Sequence, residues 1–162
     1  MKALKYMVMA VCLFFGSCQS NQKSDKLYEE GISLELAQLR KQEIKDLKYG
    51  LSFSIPEKKQ EAVEAEMKVR FTIQRPQEII LDFRESADKI KEVSVNGQPT
   101  DYRFEKEHLI IPEEATAKGT NEIDIRFTAG DQSLNRNDEF LYTLLVPDRA
   151  RTVLPCFEQP HL

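Results

Sequence analysis

The chain has two imidazoles, His108 and His161, and they stand 53 residues apart. A catalytic zinc carried on a helix needs two histidines at i and i+4 with a glutamate between them, because that spacing turns both rings toward one metal. Neither histidine has such a neighbour. Cys12, Cys18 and Cys156 are too few for a thiolate cage. A serine nucleophile wants His and Asp partners and a strained Gly-x-Ser-x-Gly turn, a motif the chain lacks. Glu105, Glu107, Glu113 and Glu114 sit beside lysines and read as a solvated face rather than paired acids. His108, following Glu105-Lys106-Glu107, reads as a solvent-facing turn position, and His161 lies at the end of the sequence. This set therefore predicts no catalytic residue, no metal ligand and no cofactor held by the chain itself.

The rest of the composition agrees with a single folded domain. Of 162 residues, 41% are hydrophobic and 31% charged, which is enough apolar material for a core. The net charge is −4, with Lys and Arg interleaved among Asp and Glu, so there is no basic patch to neutralise phosphates and nucleic acid is excluded as a partner.

Cys18 carries chemistry of another kind. Lys2 and Lys5 precede an apolar run from Tyr6 to Phe15, and the small residues Gly16 and Ser17 come directly before Cys18. The run is about half the roughly 20 residues a bilayer span needs, so residues 1–17 read as a secretory signal peptide. The ending Phe15-Gly16-Ser17-Cys18 resembles a bacterial lipobox, with Phe15 in place of the usual Leu. That resemblance implies acylation of the Cys18 sulfur and attachment to a membrane. The alternative is plain cleavage after Ser17. Cleavage before Cys18 removes two lysines and leaves 145 residues with a charge of −6. Residues 18–31 are polar at first and without periodicity, as in a flexible tether. Gln19 and Ser20 place no acidic residue after the anchor, which favours the outer membrane of a cell envelope.

The elements that must position everything else are strands. Leu47, Tyr49, Leu51, Phe53 and Ile55 alternate with Lys48, Gly50, Ser52 and Ser54, and Pro56 stops the run. Ala65, Met67, Val69, Phe71 and Ile73 repeat the pattern. Period-two alternation predicts half-buried strands. Shorter strands follow over Ile79–Phe83, at Val93 and Val95, at Tyr102 and Phe104, and over Leu109–Ile111 and Ile123–Phe127, making a meander of about seven. Asn96-Gly97 predicts a tight hairpin turn. Ser33 caps a short helix reaching about Lys45, expected to lie on the sheet. The fold class is all-β, an antiparallel β-sandwich or saddle with one short N-terminal helix, and the pattern leaves open whether its closing strands are present.

From Phe140 to Pro160 the chain reads FLYTLLVPDRARTVLPCFEQP. Tyr142, Thr143, Pro147, Ala150, Arg151, Pro155, Cys156, Phe157, Gln159 and Pro160 stand in register with the end of the N-terminal domain of the aminopeptidase N family of zinc peptidases. Ile80-Leu81-Asp82-Phe83 and Val95-Asn96-Gly97 are similar to that domain too, so the resemblance runs from about Ile44 to Leu162. It implies an N-terminal β domain over 32–162, incomplete, in a family that removes N-terminal amino acids from peptides.

Two departures qualify what the resemblance implies. The family's acid that binds the substrate amine falls at Val146, with Leu144 in place of a nearby Gln. An apolar side chain cannot neutralise an ammonium group, so that role does not carry over. The family's Gly-x-Met-Glu-Asn and His-Glu-x-x-His motifs are also absent, so the zinc belongs to a catalytic domain outside this sequence and the chain alone is expected to be inactive. The family's use of this stretch implies a partner interface at Tyr142, Leu145, Val146 and Phe157, facing a catalytic peptidase domain or a separately encoded chain. The alternative reading is a free-standing, lipid-tethered β-sandwich that binds a glycan or a protein.

Overall fold

The computed structural model describes residues 26–159. The signal peptide, Cys12, Cys18, the first part of the tether, Pro160 and His161 lie outside the described residues.

Ser33 takes extended φ and ψ and its hydroxyl accepts from the Leu36 amide, opening helix α1, Leu34–Glu43. Ten strands follow. They are β1 (Lys45–Ser54), β2 (Glu64–Ile73), β3 (Ile79–Asp82), β4 (Ile90–Val95), β5 (Gln98–Pro99), β6 (Arg103–Glu105), β7 (His108–Ile111), β8 (Gly119–Thr128), β9 (Leu134–Arg136) and β10 (Leu141–Thr143). All seven expected strands form. Their order is not a meander, however: one sheet runs β1-β2-β8-β4-β5, a second runs β3-β7-β6, and β9 with β10 makes a separate hairpin. All pairings within these sheets are antiparallel. Long β2 and β8 share a ten-pair ladder because both alternate apolar and polar residues over ten positions, and matching the two apolar faces outweighs adjacency in sequence.

The molecule is built in three layers. The inner face of the large sheet supplies Met67, Val69, Phe71, Ile123, Ile125 and Phe127, and the small sheet supplies Ile79, Leu81, Leu109 and Ile111 against them. The next residues along the small sheet, Ile80 and Ile110, point the other way and are covered by Leu36 of α1 with Leu27 and Tyr28. This is why β3 and β7 are buried at every position instead of alternately. Part of the expected tether is thereby docked: residues 26–28 form a 3-10 turn whose Leu27 and Tyr28 pack under the helix, so the folded body starts before residue 32.

Asn96 and Gly97 both have positive φ between paired Val95 and Gln98, giving the expected tight turn. β1 departs from expectation. Tyr49, Leu51 and Ile55 are 38%, 46% and 54% exposed; β1 is the edge strand of the large sheet, with a neighbour on one side only among the described residues.

Candidate functional site

Alternation in β3 turns Ile80 and Asp82 toward α1, and register places Asp82 opposite His108 of β7. Arg40 descends from the helix onto this pair. It donates from Nη1 to Asp82 Oδ2 and from Nη2 to Asp82 Oδ1, each at 2.7 Å, and from Nη2 to the Ile80 carbonyl at 2.8 Å. His108 Nδ1 lies 3.0 Å from Asp82 Oδ1 and its Nε2 lies 2.8 Å from the carbonyl oxygen of Glu29. All three side chains are buried. Burial pushes the Asp82 carboxyl up, but the adjoining His108 ring, the Arg40 guanidinium and the Glu158 amide outweigh that and hold it below the usual carboxylate range.

The same carboxylate holds the segment after the last strand. Asp82 and Cys156 exchange backbone hydrogen bonds of 2.7 and 3.0 Å, and the Glu158 amide donates to Asp82 Oδ2 at 3.1 Å. The Phe157 amide donates to the Tyr49 hydroxyl at 2.9 Å. Enclosure pushes that hydroxyl's pKa well up although one side of the Tyr49 ring reaches solvent. The Cys156 thiol is buried and shifted far up, first by desolvation and then by the Glu158 and Asp82 charges, so it stays protonated and unreactive. Burial also raises Glu158, partly offset by the Arg151 amide that donates to it at 2.6 Å. Arg151 in turn pairs with Glu107 at 2.6 Å.

His108 is thus not at a solvent-facing turn. Its ring is wholly enclosed because its place in β7 faces α1, and the turn expected there is taken by Lys106 and Glu107. An Asp–His pair can orient an imidazole for proton transfer, yet here Nε2 is occupied by Glu29 and the ring has no route to a substrate. The cluster ties together the stretch around Glu29, α1, β3, β7 and residues 156–158. The signal that could have located it was an Asp inside an otherwise apolar strand, Ile79–Asp82, which requires a buried partner.

Zinc does not fit the described residues of this chain. Among the described residues no group of three or more His, Cys, Asp or Glu side chains is placed to hold a metal ion, and the one described histidine is already committed.

The four expected interface residues are divided by the structure. Tyr142 is 55% exposed and Val146 68%, with Phe140 and Leu144 exposed beside them, and Leu145 is half-buried against the core. Phe157 instead is 6% exposed, edge-on to Phe71 with ring centroids 6.3 Å apart and 5.3 Å from the Arg40 guanidinium. The bridge between Asp82 and Cys156 draws it into the core, so it cannot face a partner. Val146 is well exposed and has no charge with which to anchor an amine. On the opposite, outer face of the large sheet lies a shallow groove lined by Ser52, Ser54, Glu64, Ala65, Glu66, Lys91 and Arg126, with no aromatic ring to stack on a sugar.

No family profile and no curated protein matches the chain. Solved structures do. Leukotriene A4 hydrolase from Saccharomyces cerevisiae superimposes with a TM-score of 0.60 at 16% identity, over 74% of this chain and 22% of that one. The M1 zinc metallopeptidase from Deinococcus radiodurans gives 0.57 at 15% identity, over 73% of this chain and 30% of that one. The chain spans less than a third of the length of either structure, and at these identities the likeness is one of fold. The protein has the open β-sandwich fold found in a fraction of these two larger hydrolases.

Proposed function

We propose that the protein is the non-catalytic N-terminal β domain of an aminopeptidase N-like zinc peptidase, which supports or docks a catalytic domain that this sequence does not include. The observation that carries this reading is the agreement of two independent likenesses. The structures that share the fold bear zinc-peptidase and hydrolase names, and the motif residues from Tyr142 to Gln159 fall in the segment that Asp82 and Arg151 fasten to the same fold. Exposed Phe140, Tyr142, Leu144 and Val146 supply an apolar face for the missing partner. Supply of free α-amine recognition falls to other residues, because Val146 offers no charge.

The test is co-expression with the product of whichever adjacent reading frame carries His-Glu-x-x-His. The two chains should co-purify with aminopeptidase activity, whereas this chain alone, given Zn²⁺, should leave aminoacyl chromogenic substrates intact. Chelator-sensitive turnover by the homogeneous single chain would overturn the reading.

The same proposal includes attachment of Cys18 to a lipid, with residence in a bacterial cell envelope and at the outer membrane. Its support is the lipobox-like Gly16-Ser17-Cys18 alone. Cys18→Ala should move the protein from the membrane to the soluble fraction and abolish labelling by a fatty-acid analogue; unchanged partition would sink this part.

A further inference from the structure

The large sheet ends on one side in β1, and among the described residues no strand pairs with its outer edge. Sheet edges are ordinarily protected by charges on the buried side, by proline, by bulges or by shortness. β1 has these devices only at its ends. A register irregularity lies between Lys45 and Lys48, and Pro56 follows the strand. Between them Lys48–Ser54 pairs regularly with β2, and its core-facing side carries Tyr49, Leu51 and Phe53 with no charge among them. The outer side is small and polar, Gly50, Ser52 and Ser54, with Lys48 as its single charge.

We propose that this edge is a self-pairing surface: β1 of one copy adds antiparallel to β1 of a second, with Leu51 on the two-fold axis. This does not depend on the reading given under Proposed function. The register follows from sequence complementarity. With Leu51 opposite Leu51, Tyr49 meets Phe53, Leu47 meets Ile55, Gly50 meets Ser52 and Lys48 meets Ser54, each twice. Every apolar residue then faces an apolar one, and the aromatic pair is a favoured cross-strand contact. No like charges oppose each other along the regular stretch Lys48–Ser54. Moving the axis to Gly50 would replace the Tyr49–Phe53 pair by Tyr49–Leu51 and lose the aromatic contact. An isologous contact of this kind closes on itself as a dimer and joins two five-stranded sheets into one. It also covers the flanks of Leu51 and Ile55 that the described residues leave exposed.

Charge reversal at the axis tests the pairing. By sedimentation velocity the purified full chain should dimerise reversibly, Leu51→Lys and Leu51→Asp should each weaken association by at least about tenfold, and an equimolar mixture of the two should restore the dimer. Leu51 is half exposed, so both variants should keep the wild-type near-UV spectrum. If either does not fold, Leu51→Cys in a Cys18→Ser background should oxidise to a disulfide-linked dimer. A wild-type chain that is monomeric at every concentration overturns the proposal, as does a mixture that fails to associate. Association lost with Val146→Asp but kept with Leu51→Lys also overturns it, and assigns self-association to the segment proposed to dock a catalytic domain.

Discussion

Arg40 and Asp82, 42 residues apart in sequence, share two hydrogen bonds of 2.7 Å at a point where neither side chain touches water. Both charges were taken out of solvent to make that pair, so neither can be removed singly. Arg40→Met leaves the Asp82 carboxylate buried with a weakened partner set and should lower the unfolding free energy by about 3–5 kcal/mol. Adding Asp82→Leu to that variant should recover part of the loss. Urea denaturation of the three proteins measures both effects.

Acid should act through the same carboxylate. The Asp82 pKa is depressed in the folded protein, so its contribution is complete above the unfolded value of roughly 3.9 and disappears as pH falls through the folded value. Glu158 has the opposite sign. Its folded pKa is raised, which favours the folded state at low pH and costs stability once pH rises past that value. Denaturation between pH 7 and pH 2 should show a steep acid limb that Asp82→Asn flattens. Glu158→Gln should stabilise the protein at pH 7 and leave it unchanged at the acid end.

Gly130 should tolerate no side chain. Its amide donates to the Val153 carbonyl at 3.1 Å, and a methyl group there would overlap the Thr152 carbonyl oxygen and the Glu85 carboxylate. The first of these is backbone held by neighbouring hydrogen bonds, so it cannot simply swing away. Gly130→Ala should cost about 1–3 kcal/mol, read from the shift in the denaturation midpoint.

The turn between β6 and β7 offers the reverse experiment. Lys106 and Glu107 have φ of 47° and 68°, conformations that a two-residue hairpin normally fills with Asn-Gly. Lys106→Asn should raise stability by about 0.5–1 kcal/mol. Glu107→Gly relieves its own φ but removes the ion pairs to Arg151 at 2.6 Å and Arg84 at 3.1 Å. It should therefore stabilise less than Lys106→Asn, or destabilise, in the same thermal melts.

Local features of this fold are written in short stretches of sequence and were legible there. The alternation in β2 and β8, the Ser33 cap and the Asn96-Gly97 turn each depend on residues within a few positions of one another. What could not be read depends on distant pairings. Nothing near His108 tells that β7 is covered on both faces, because the cover on one side is Leu36 and on the other the large sheet. The family resemblance implies an interface at Phe157, but its burial is decided by a bridge to Asp82, 74 residues upstream of Cys156. The apolar side of β1 looked half-buried by its alternation, and how far the second sheet reaches across it is a property of the assembled layers. Of the four residues expected at an interface, Tyr142 and Val146 are exposed.

The attachment of residues 156–159 also sets a timetable for the molecule as it is made. Gln159 donates to the Ala37 carbonyl at 2.8 Å across 122 residues, and Arg40 waits for Asp82 and Phe157. At translation rates of about 5–20 residues per second, helix α1 is synthesised roughly 6 to 24 seconds before Gln159. Until then Arg40 is without its full cover. Closure of this cluster by residues 156–159 therefore comes after the other partners of α1 have been made.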